Sequence, residues 1–198
     1  MLTAERTVLV VIDFQGNLAQ AMADRDALLE NARKMIQGIQ VFDIPLIVTE
    51  QIPAKLGPTI PEISNLLHGV TPIAKESFSC CQNDVFMQAL KKTGCEQILL
   101  TGIETHICVY QTALDLISAG YPVFVVSDAV SSRTAGNREI GLQLIRDAGG
   151  TIDPWRGADL GAYEVIVDAL LGTGLDRAPE GLWHDAITAI DASGRPVL

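Results

Sequence analysis

Three side chains of this sequence could together break an amide or ester bond: Asp13, Lys75 and Cys108. A carboxylate can take the proton of a thiol and later deliver it to a leaving group, and the thiol can attack a carbonyl carbon. An ammonium between them would hold both anions in place. Cys108 opens a predicted helix, where the helix dipole and a neighbouring ammonium favour the thiolate. The three residue types therefore predict a nucleophilic thiol of low pKa with an acid–base partner.

Each of the three residues follows a predicted strand. Asp13 comes after the apolar run at residues 8–12, and Lys75 comes after a short strand at 72–74. Cys108 ends the turn at 102–108, which leads from a strand into a helix. Taken singly, a lone cysteine is usually core and an aspartate after a strand is usually a turn former. Because ligands of open α/β sheets bind beyond the carboxyl ends of the strands, the joint placement favours a catalytic site.

The elements that must position these residues alternate between strand and helix. Strands are predicted at residues 8–12, 46–48, 72–74, 97–101, 122–126 and near 151–152, and helices at about 26–39, 83–92, 105–118 and 135–148. Strands separated by helices of ten or more residues indicate right-handed crossovers. The sequence therefore predicts an α/β fold, a three-layer αβα sandwich with a Rossmann-like, open, mostly parallel, doubly wound sheet. We expect one domain over residues 1–198, in which a tail at 151–198 completes the sheet of residues 1–150.

Composition excludes several classes of function. With 24 acidic and 14 basic side chains the formal charge is -10, which does not suit binding to nucleic acid. The run at 8–12 is too short for a signal peptide or a membrane span, so we expect no membrane partner and a cytoplasmic protein. The four cysteines form no C-x-x-C pair and the three histidines have no zinc-site spacing, so we expect reduced thiols, no metal and no cofactor.

Four segments carry a resemblance to a known family: LVVIDFQ at 9–15, IAKESFS at 73–79, TGIETHICV at 101–109 and SDA at 127–129. Over about residues 5–150 the chain resembles the isochorismatase-like cysteine hydrolases, which hydrolyse isochorismate, nicotinamide and other small amides. The stretches TEQIP at 49–53 and LGPT at 56–59 look like the isochorismatase-domain-containing subgroup. No histidine lies between Asp13 and His68, where nicotinamidases carry a metal cluster of aspartate and histidine.

The resemblance implies specific roles for residues of this sequence. It implies a catalytic triad of Asp13, Lys75 and Cys108, and a cis peptide bond between Ile103 and Glu104. It also implies an oxyanion hole formed by the backbone N–H groups of Glu104 and Cys108. We assign the substrate pocket to Phe14, Gln15, Gln51 and Ile107. The expected partners are a small-molecule substrate and further copies of the chain in a homo-oligomer.

The tail at residues 151–198 differs in sequence pattern from the rest of the chain. The segment VIVDALLGTGLDR at 165–177 looks like part of the N-terminal domain of NAD(P)H-hydrate epimerase, which implies Asp168 near a potassium ion and Gly172 and Gly174 near a nucleotide. The Asn-Asn-Gly-Gly-Asp signature of that family is absent from the sequence. We therefore interpret the tail as a structural graft, with a strand at 165–167 in the main sheet and a helix at 182–190 packed on one face.

Two alternatives to a hydrolase remain open at this point. A junction of two families near residues 149–150 suggests a chimera, recombined or designed, and the apolar end of the chain suggests a truncated or designed boundary. Such a chain could be a catalytically idle scaffold. It could also be a binder of a small molecule or nucleotide through the tail.

Overall fold

A computed structural model describes residues 2–152 and 182–194. The chain forms two compact units, Met1–Ile152 and Asp153–Leu198. The first unit is built on a sheet of five strands in the order β3-β2-β1-β4-β5, and all four neighbouring pairs are parallel. The strands are β1 (Thr7–Ile12), β2 (Leu46–Gln51), β3 (Ile73–Lys75), β4 (Gln97–Ile103) and β5 (Val123–Ser131). The predicted α/β class and parallel sheet are confirmed.

Helices cover both faces of the sheet and make three layers. In β1, Val8 and Val10 point into one apolar cluster and Leu9 and Val11 into the other, as the period of two in a strand requires. All six residues of β1 are buried, which explains why the central strand is a continuous apolar run. The helices of the first unit are α1 (Gly16–Gln20), α2 (Arg25–Val41), α3 (Pro53–Leu56), α4 (Pro61–Ser64), α5 (Asp84–Thr93), α6 (Tyr110–Ser118) and α7 (Ala135–Asp147).

The two layers of helices fill different clusters. Buried leucine and isoleucine side chains of α2, such as Leu29 and Ile36, pack against Leu9 and Val11. The opposite face of the sheet carries apolar side chains of α5, α6 and α7. This arrangement leaves the edge at the carboxyl ends of the strands for polar side chains.

The order of the strands creates a switch point next to β1. The chain passes from β1 to β2 and β3 on one side and then continues with β4 and β5 on the other side. The carboxyl ends of β1 and β4 are therefore where a ligand is expected in an open α/β sheet. Asp13 follows β1, and Cys108 lies just beyond β4.

Glycine at position 102 allows β4 to approach β1 closely at this switch point. Gly102 has φ +145°, and a Cβ on it would lie 2.3 Å from the carbonyl oxygen of Ile12. No side chain fits at that distance, so the close contact between the two strand ends depends on glycine. It brings the segment after β4 next to the segment after β1.

Several elements differ from the sequence prediction. The helix predicted at 105–118 begins with one turn of π-helix, Thr105–Val109, before α6, and this turn is called the Cys108 turn below. Lys75 is the last residue of β3 rather than the residue after it. The strand predicted near 151–152 is a single parallel bridge between Phe124 and Thr151. Short helices such as α3 and α4 escaped prediction because four residues carry no periodic pattern.

The second unit contains helix α8 (Leu182–Ala192), in which Ile190 is buried. The predicted strand at 165–167 and the predicted ligand residues Asp168, Gly172 and Gly174 lie outside the described residues. The prediction that the tail completes the sheet therefore stays a prediction. Within residues 2–152 and 182–194, no helix is long and apolar enough to cross a membrane.

Candidate active site

The Asp13 carboxylate is the centre of a buried polar cluster at the switch point. Its Oδ2 accepts a hydrogen bond from Lys75 Nζ at 2.7 Å, and its Oδ1 accepts one from the hydroxyl of Thr49 at 2.8 Å. The side chains of Asp13 and Lys75 are both completely shielded from solvent. Burial of an ion pair is costly unless further hydrogen bonds satisfy its polar atoms, and the Thr49 hydroxyl supplies one to Asp13.

The Lys75 ammonium is fully occupied by protein acceptors. Besides Asp13, Nζ donates to Oε1 of Gln51 at 2.7 Å and to the carbonyl oxygens of Ser77 and Phe78 at 3.3 and 3.2 Å. An ammonium has three protons, so these four acceptors leave none for a ligand. Lys75 is therefore placed to hold and neutralise Asp13 rather than to bind a substrate.

The pKa of Lys75 reflects this environment. Burial by itself would lower the pKa, but the negative groups around the ammonium, Asp13 foremost, raise it above its usual value. Lys75 is therefore charged throughout the physiological range.

Cys108 faces the same carboxylate from the Cys108 turn. Burial raises the pKa of its thiol, and the charge of Asp13 raises it further, while Lys75 acts in the opposite direction. The low pKa that the sequence predicted is therefore wrong, because burial and the nearby carboxylate outweigh the effect of the Lys75 ammonium. The raised pKa keeps the Cys108 thiol protonated at rest, beside a carboxylate that can accept its proton.

Cys108 is almost fully buried, since the residue retains 7% of its accessible surface. A groove of about 610 Å³ lies beside β3 and is lined by residues that include Pro53, Lys75 and Ser77. Neither Asp13 nor Cys108 lines this groove. Asp13 and Cys108 are therefore both enclosed by protein.

The structure brings two of the predicted pocket residues into supporting positions. Nε2 of Gln15 donates to the carbonyl oxygens of Gln51 and Gly57, and its Oε1 accepts from the Gln51 N–H. Gln51 in turn binds Lys75 through Oε1 and the carbonyl of Glu76 through Nε2. Both amides are therefore occupied by the protein, and their contacts fix β2 and Lys75.

The two apolar residues predicted for the pocket lie in the core clusters. Phe14 is 1% exposed and packs with α2, whereas Ile107 is partly buried against the cluster on the other face. Within residues 2–152 and 182–194, no group of three or more histidine, cysteine, aspartate or glutamate side chains comes close enough to hold a metal ion.

The segment after β3 is tied to the helix that follows Cys108. Ser79 Oγ donates to Oδ2 of Asp115 at 2.6 Å, and the backbone N–H of Cys80 donates to the hydroxyl of Thr112 at 3.0 Å. These contacts join the carbonyl groups that hold Lys75 to α6. The sequence predicted no role for Thr49, Ser79 and Asp115, because contacts between distant segments leave no local pattern.

The peptide bond between Ile103 and Glu104 is cis. In residues 2–152 the N–H of Glu104 donates to no backbone carbonyl, while its carbonyl oxygen accepts from the N–H groups of Ile107 and Val109. The Glu104 N–H thus lies at the start of the Cys108 turn and has no backbone acceptor in residues 2–152.

Cys80 is a second buried thiol of the cluster. Its Sγ lies 3.8 Å from the Thr49 hydroxyl that binds Asp13. Burial raises the pKa of Cys80 to about 11, and the charge of Lys75 only partly offsets this effect.

The raised pKa of Cys80 predicts a loss of stability in alkali. Above about pH 9 the unfolded chain releases the thiol proton, whereas the folded chain keeps it, so the free energy of unfolding falls by about 1.4 kcal/mol per pH unit. Lys75 acts in the same direction, because a raised pKa gives stability that is present below the unfolded value and lost as the pH rises. Urea unfolding at a series of pH values should show a smaller slope between about pH 9 and 11 in Cys80→Ala than in the wild type. Equal slopes would contradict this assignment.

The sequence matches the family model of the isochorismatase domain over residues 7–155. The chain belongs to the isochorismatase family. The isochorismatase domain-containing protein 2 of Danio rerio is 36% identical over 149 residues, which cover 75% of this chain and 74% of that protein. The predicted family is therefore confirmed. The predicted epimerase-like fragment and the chimera find no support in these comparisons.

Solved structures agree with this isochorismatase-family assignment. A structure named as a MAR1 ribonuclease from Caenorhabditis elegans superimposes with a TM-score of 0.72 at 34% identity and covers 76% of this chain and 78% of that one. The YcaC protein of Escherichia coli superimposes with a TM-score of 0.74 at 26% identity and covers 78% of each chain. Its structure is described as an octameric hydrolase of unknown specificity.

Proposed function

We propose that this protein is a cysteine hydrolase of a small amide or ester, with Cys108 as nucleophile, Asp13 as general acid and base, and Lys75 as the cation that holds Asp13. The observation that carries the proposal is the buried Asp13 carboxylate, which accepts from Lys75 at 2.7 Å and faces the Cys108 thiol. Membership of a family of hydrolases supports the reaction class.

The reaction would begin with proton transfer from the Cys108 thiol to Asp13 as the sulfur attacks the carbonyl carbon. The C–S bond forms, the carbonyl π electrons move to oxygen, and the backbone N–H groups of Glu104 and Cys108 stabilise that charge. Collapse of this intermediate breaks the bond to the leaving group, which takes the proton from Asp13. Water then attacks the acyl-thioester with Asp13 again as base, which releases the acid and restores the thiol.

Lys75 would remain protonated throughout this cycle. Its hydrogen bonds to Gln51 and to two carbonyl oxygens keep the ammonium in place when Asp13 is briefly neutral. The raised pKa of Lys75 fits this role, because the group does not compete with Asp13 for the proton of the thiol.

A small substrate is favoured over a nucleic acid for two reasons. The formal charge of -10 opposes the approach of a phosphate backbone, and Cys108 is almost fully enclosed. The relative from Caenorhabditis elegans is named a ribonuclease, so RNA is a necessary comparison in any assay. The similarity to the octameric YcaC protein also favours self-association of this chain. The cytoplasmic location stays a prediction.

The proposal is tested by trapping the acyl-enzyme. With p-nitrophenyl esters of short acids, we expect a rapid release of about one equivalent of nitrophenolate per chain and an acyl group on Cys108 in the peptide mass map. The variant Cys108→Ser should lose the burst and at least about a thousandfold in turnover. Cys95→Ala is the matched control, because Cys95 contacts the carbonyl of Thr7 at the other end of the sheet.

Two results would overturn the proposal. One is turnover that persists in Cys108→Ser, and the other is an acyl group that maps to a different residue. Cleavage of an RNA oligonucleotide at the same rate in the wild type and in Cys108→Ser would assign the activity to another mechanism.

A further inference from the structure

The side chain of Glu104 is a buried carboxylate that the proposed reaction does not use. Glu104 is 4% exposed. Its Oε2 accepts from the backbone N–H of Arg133 at 3.0 Å, and Nε of Arg133 donates to Oε1 and Oε2 at 3.1 and 3.2 Å. Nη2 of Arg133 adds a contact of 3.1 Å with Oε1. Four contacts from one residue thus fix the direction of this carboxylate.

The Glu104–Arg133 pair adds little to the stability of the fold, and its main effect is on the position of residue 104. The Arg133 side chain is 59% exposed, and ion pairs with an exposed partner add little to stability. A buried carboxylate, in contrast, is costly to leave unpaired. A buried glutamate at position 104 would lower stability without a partner. Its contacts with Arg133 fix residue 104 to the segment after β5.

Two further contacts join the same segments. Nδ1 of His106 lies 3.0 Å from the Ser132 hydroxyl. Gly141 of α7 leaves no room for a side chain, since a Cβ there would lie 2.7 Å from the backbone of Thr105 and His106. The Cys108 turn is therefore held on one side by Ser132, Arg133 and Gly141.

These contacts hold the backbone N–H of Glu104, which the proposed reaction needs. The N–H of Glu104 has no backbone acceptor within residues 2–152, and the Glu104 carbonyl oxygen holds the first N–H groups of the turn. Rotation of residue 104 would therefore turn its N–H away from the carbonyl oxygen of a bound substrate.

We propose that the Glu104–Arg133 pair is a positioning device that directs the backbone N–H of Glu104, together with the Cys108 turn, toward the oxyanion of the substrate. This inference rests on the proposed function. Removal of a whole oxyanion donor lowers turnover by about 10²–10³, so a donor that is only misdirected should cost about tenfold.

The test compares two reactions of the same thiol. Reversible addition of a small aldehyde such as propionaldehyde puts an oxygen into the oxyanion site, whereas alkylation by iodoacetamide does not. In Arg133→Met we expect aldehyde binding to weaken about tenfold while the alkylation rate stays within about twofold. With the ester substrate, kcat should fall about tenfold at unchanged KM, and Arg133→Lys should recover part of the loss.

Two further variants keep the test independent of folding. Glu104→Gln removes the charge without leaving a buried anion, and it should weaken aldehyde binding in the same way. Arg138→Met is the matched control, because Arg138 binds the carbonyl groups of Val130 and Ser127 and has no contact with Glu104. It should change neither reaction.

The following outcomes would contradict the positioning role of the Glu104–Arg133 pair. Equal losses in aldehyde binding and alkylation, or no loss in either, would overturn the positioning role while leaving the proposed hydrolase intact. A wild-type chain whose Cys108 is alkylated but binds no aldehyde would overturn the hydrolase and the positioning role together.

Discussion

Replacing Asp13 by asparagine is expected to stop hydrolysis and at the same time to lower the pKa of Cys108. The carboxylate is the proposed proton acceptor, and loss of a general base lowers turnover by about 10²–10⁴. The same carboxylate raises the pKa of the thiol, whereas Lys75 lowers it. Without Asp13, burial still raises the pKa of Cys108, but Lys75 then acts on the thiol unopposed.

The two effects are measured separately. The pH dependence of iodoacetamide alkylation at Cys108 should shift to lower pH in Asp13→Asn, although ester turnover is lost. Asp115→Asn is a suitable control, since Asp115 binds Ser79 on the same side of the sheet and does not act on Cys108. A midpoint that stays in place or moves to higher pH would contradict the assigned interaction.

The sequence was sufficient to predict the framework of the site. The apolar run that forms β1 is buried on both faces, so its end had to lie at an edge of the sheet, and Asp13 stands there. The predicted strand ends at residue 74, one residue before the observed end of β3 at Lys75. Parallel strands with helical crossovers then bring those ends to one side of the molecule, which needs no knowledge of side-chain contacts.

The electrostatics of the site could not be predicted in this way. The start of a helix is visible in a sequence, and it suggested a low pKa for Cys108. The depth of burial and the distance to Asp13 depend on how β1 and β4 meet at Gly102, which is a contact between residues 90 positions apart. Similarly, Thr49 carried no predicted role and Gln51 was assigned to the substrate pocket, whereas the structure places their side chains on Asp13 and Lys75.

The interpretation of the tail shows the limit of short motifs. It depended on one glycine-rich turn and a short apolar run, and such a turn is found in many folds. The four segments shared with the isochorismatase family include three residues that cluster in the structure, so they carry independent information. A motif is therefore most informative when its residues lie far apart in the chain and meet in space.

Replacing Lys75 by methionine is expected to destabilise the fold more than any other single change at the site. The substitution leaves the Asp13 carboxylate buried without its cation, and breaking a buried ion pair in this way costs about 3–5 kcal/mol. Urea unfolding measures this loss. Lys55→Met is the control, because Lys55 is exposed and should change the free energy of unfolding by less than about 0.5 kcal/mol.

The double variant Asp13→Asn with Lys75→Met identifies the origin of that loss. If the unpaired carboxylate is the cause, its removal should restore part of the stability, and the two changes should be strongly non-additive. The pKa of Cys108 should also respond in opposite directions, rising in Lys75→Met and falling in Asp13→Asn, because the ammonium and the carboxylate act on the thiol with opposite signs. Additive losses of stability, or shifts of Cys108 in the same direction, would mean that Lys75 does not act through Asp13.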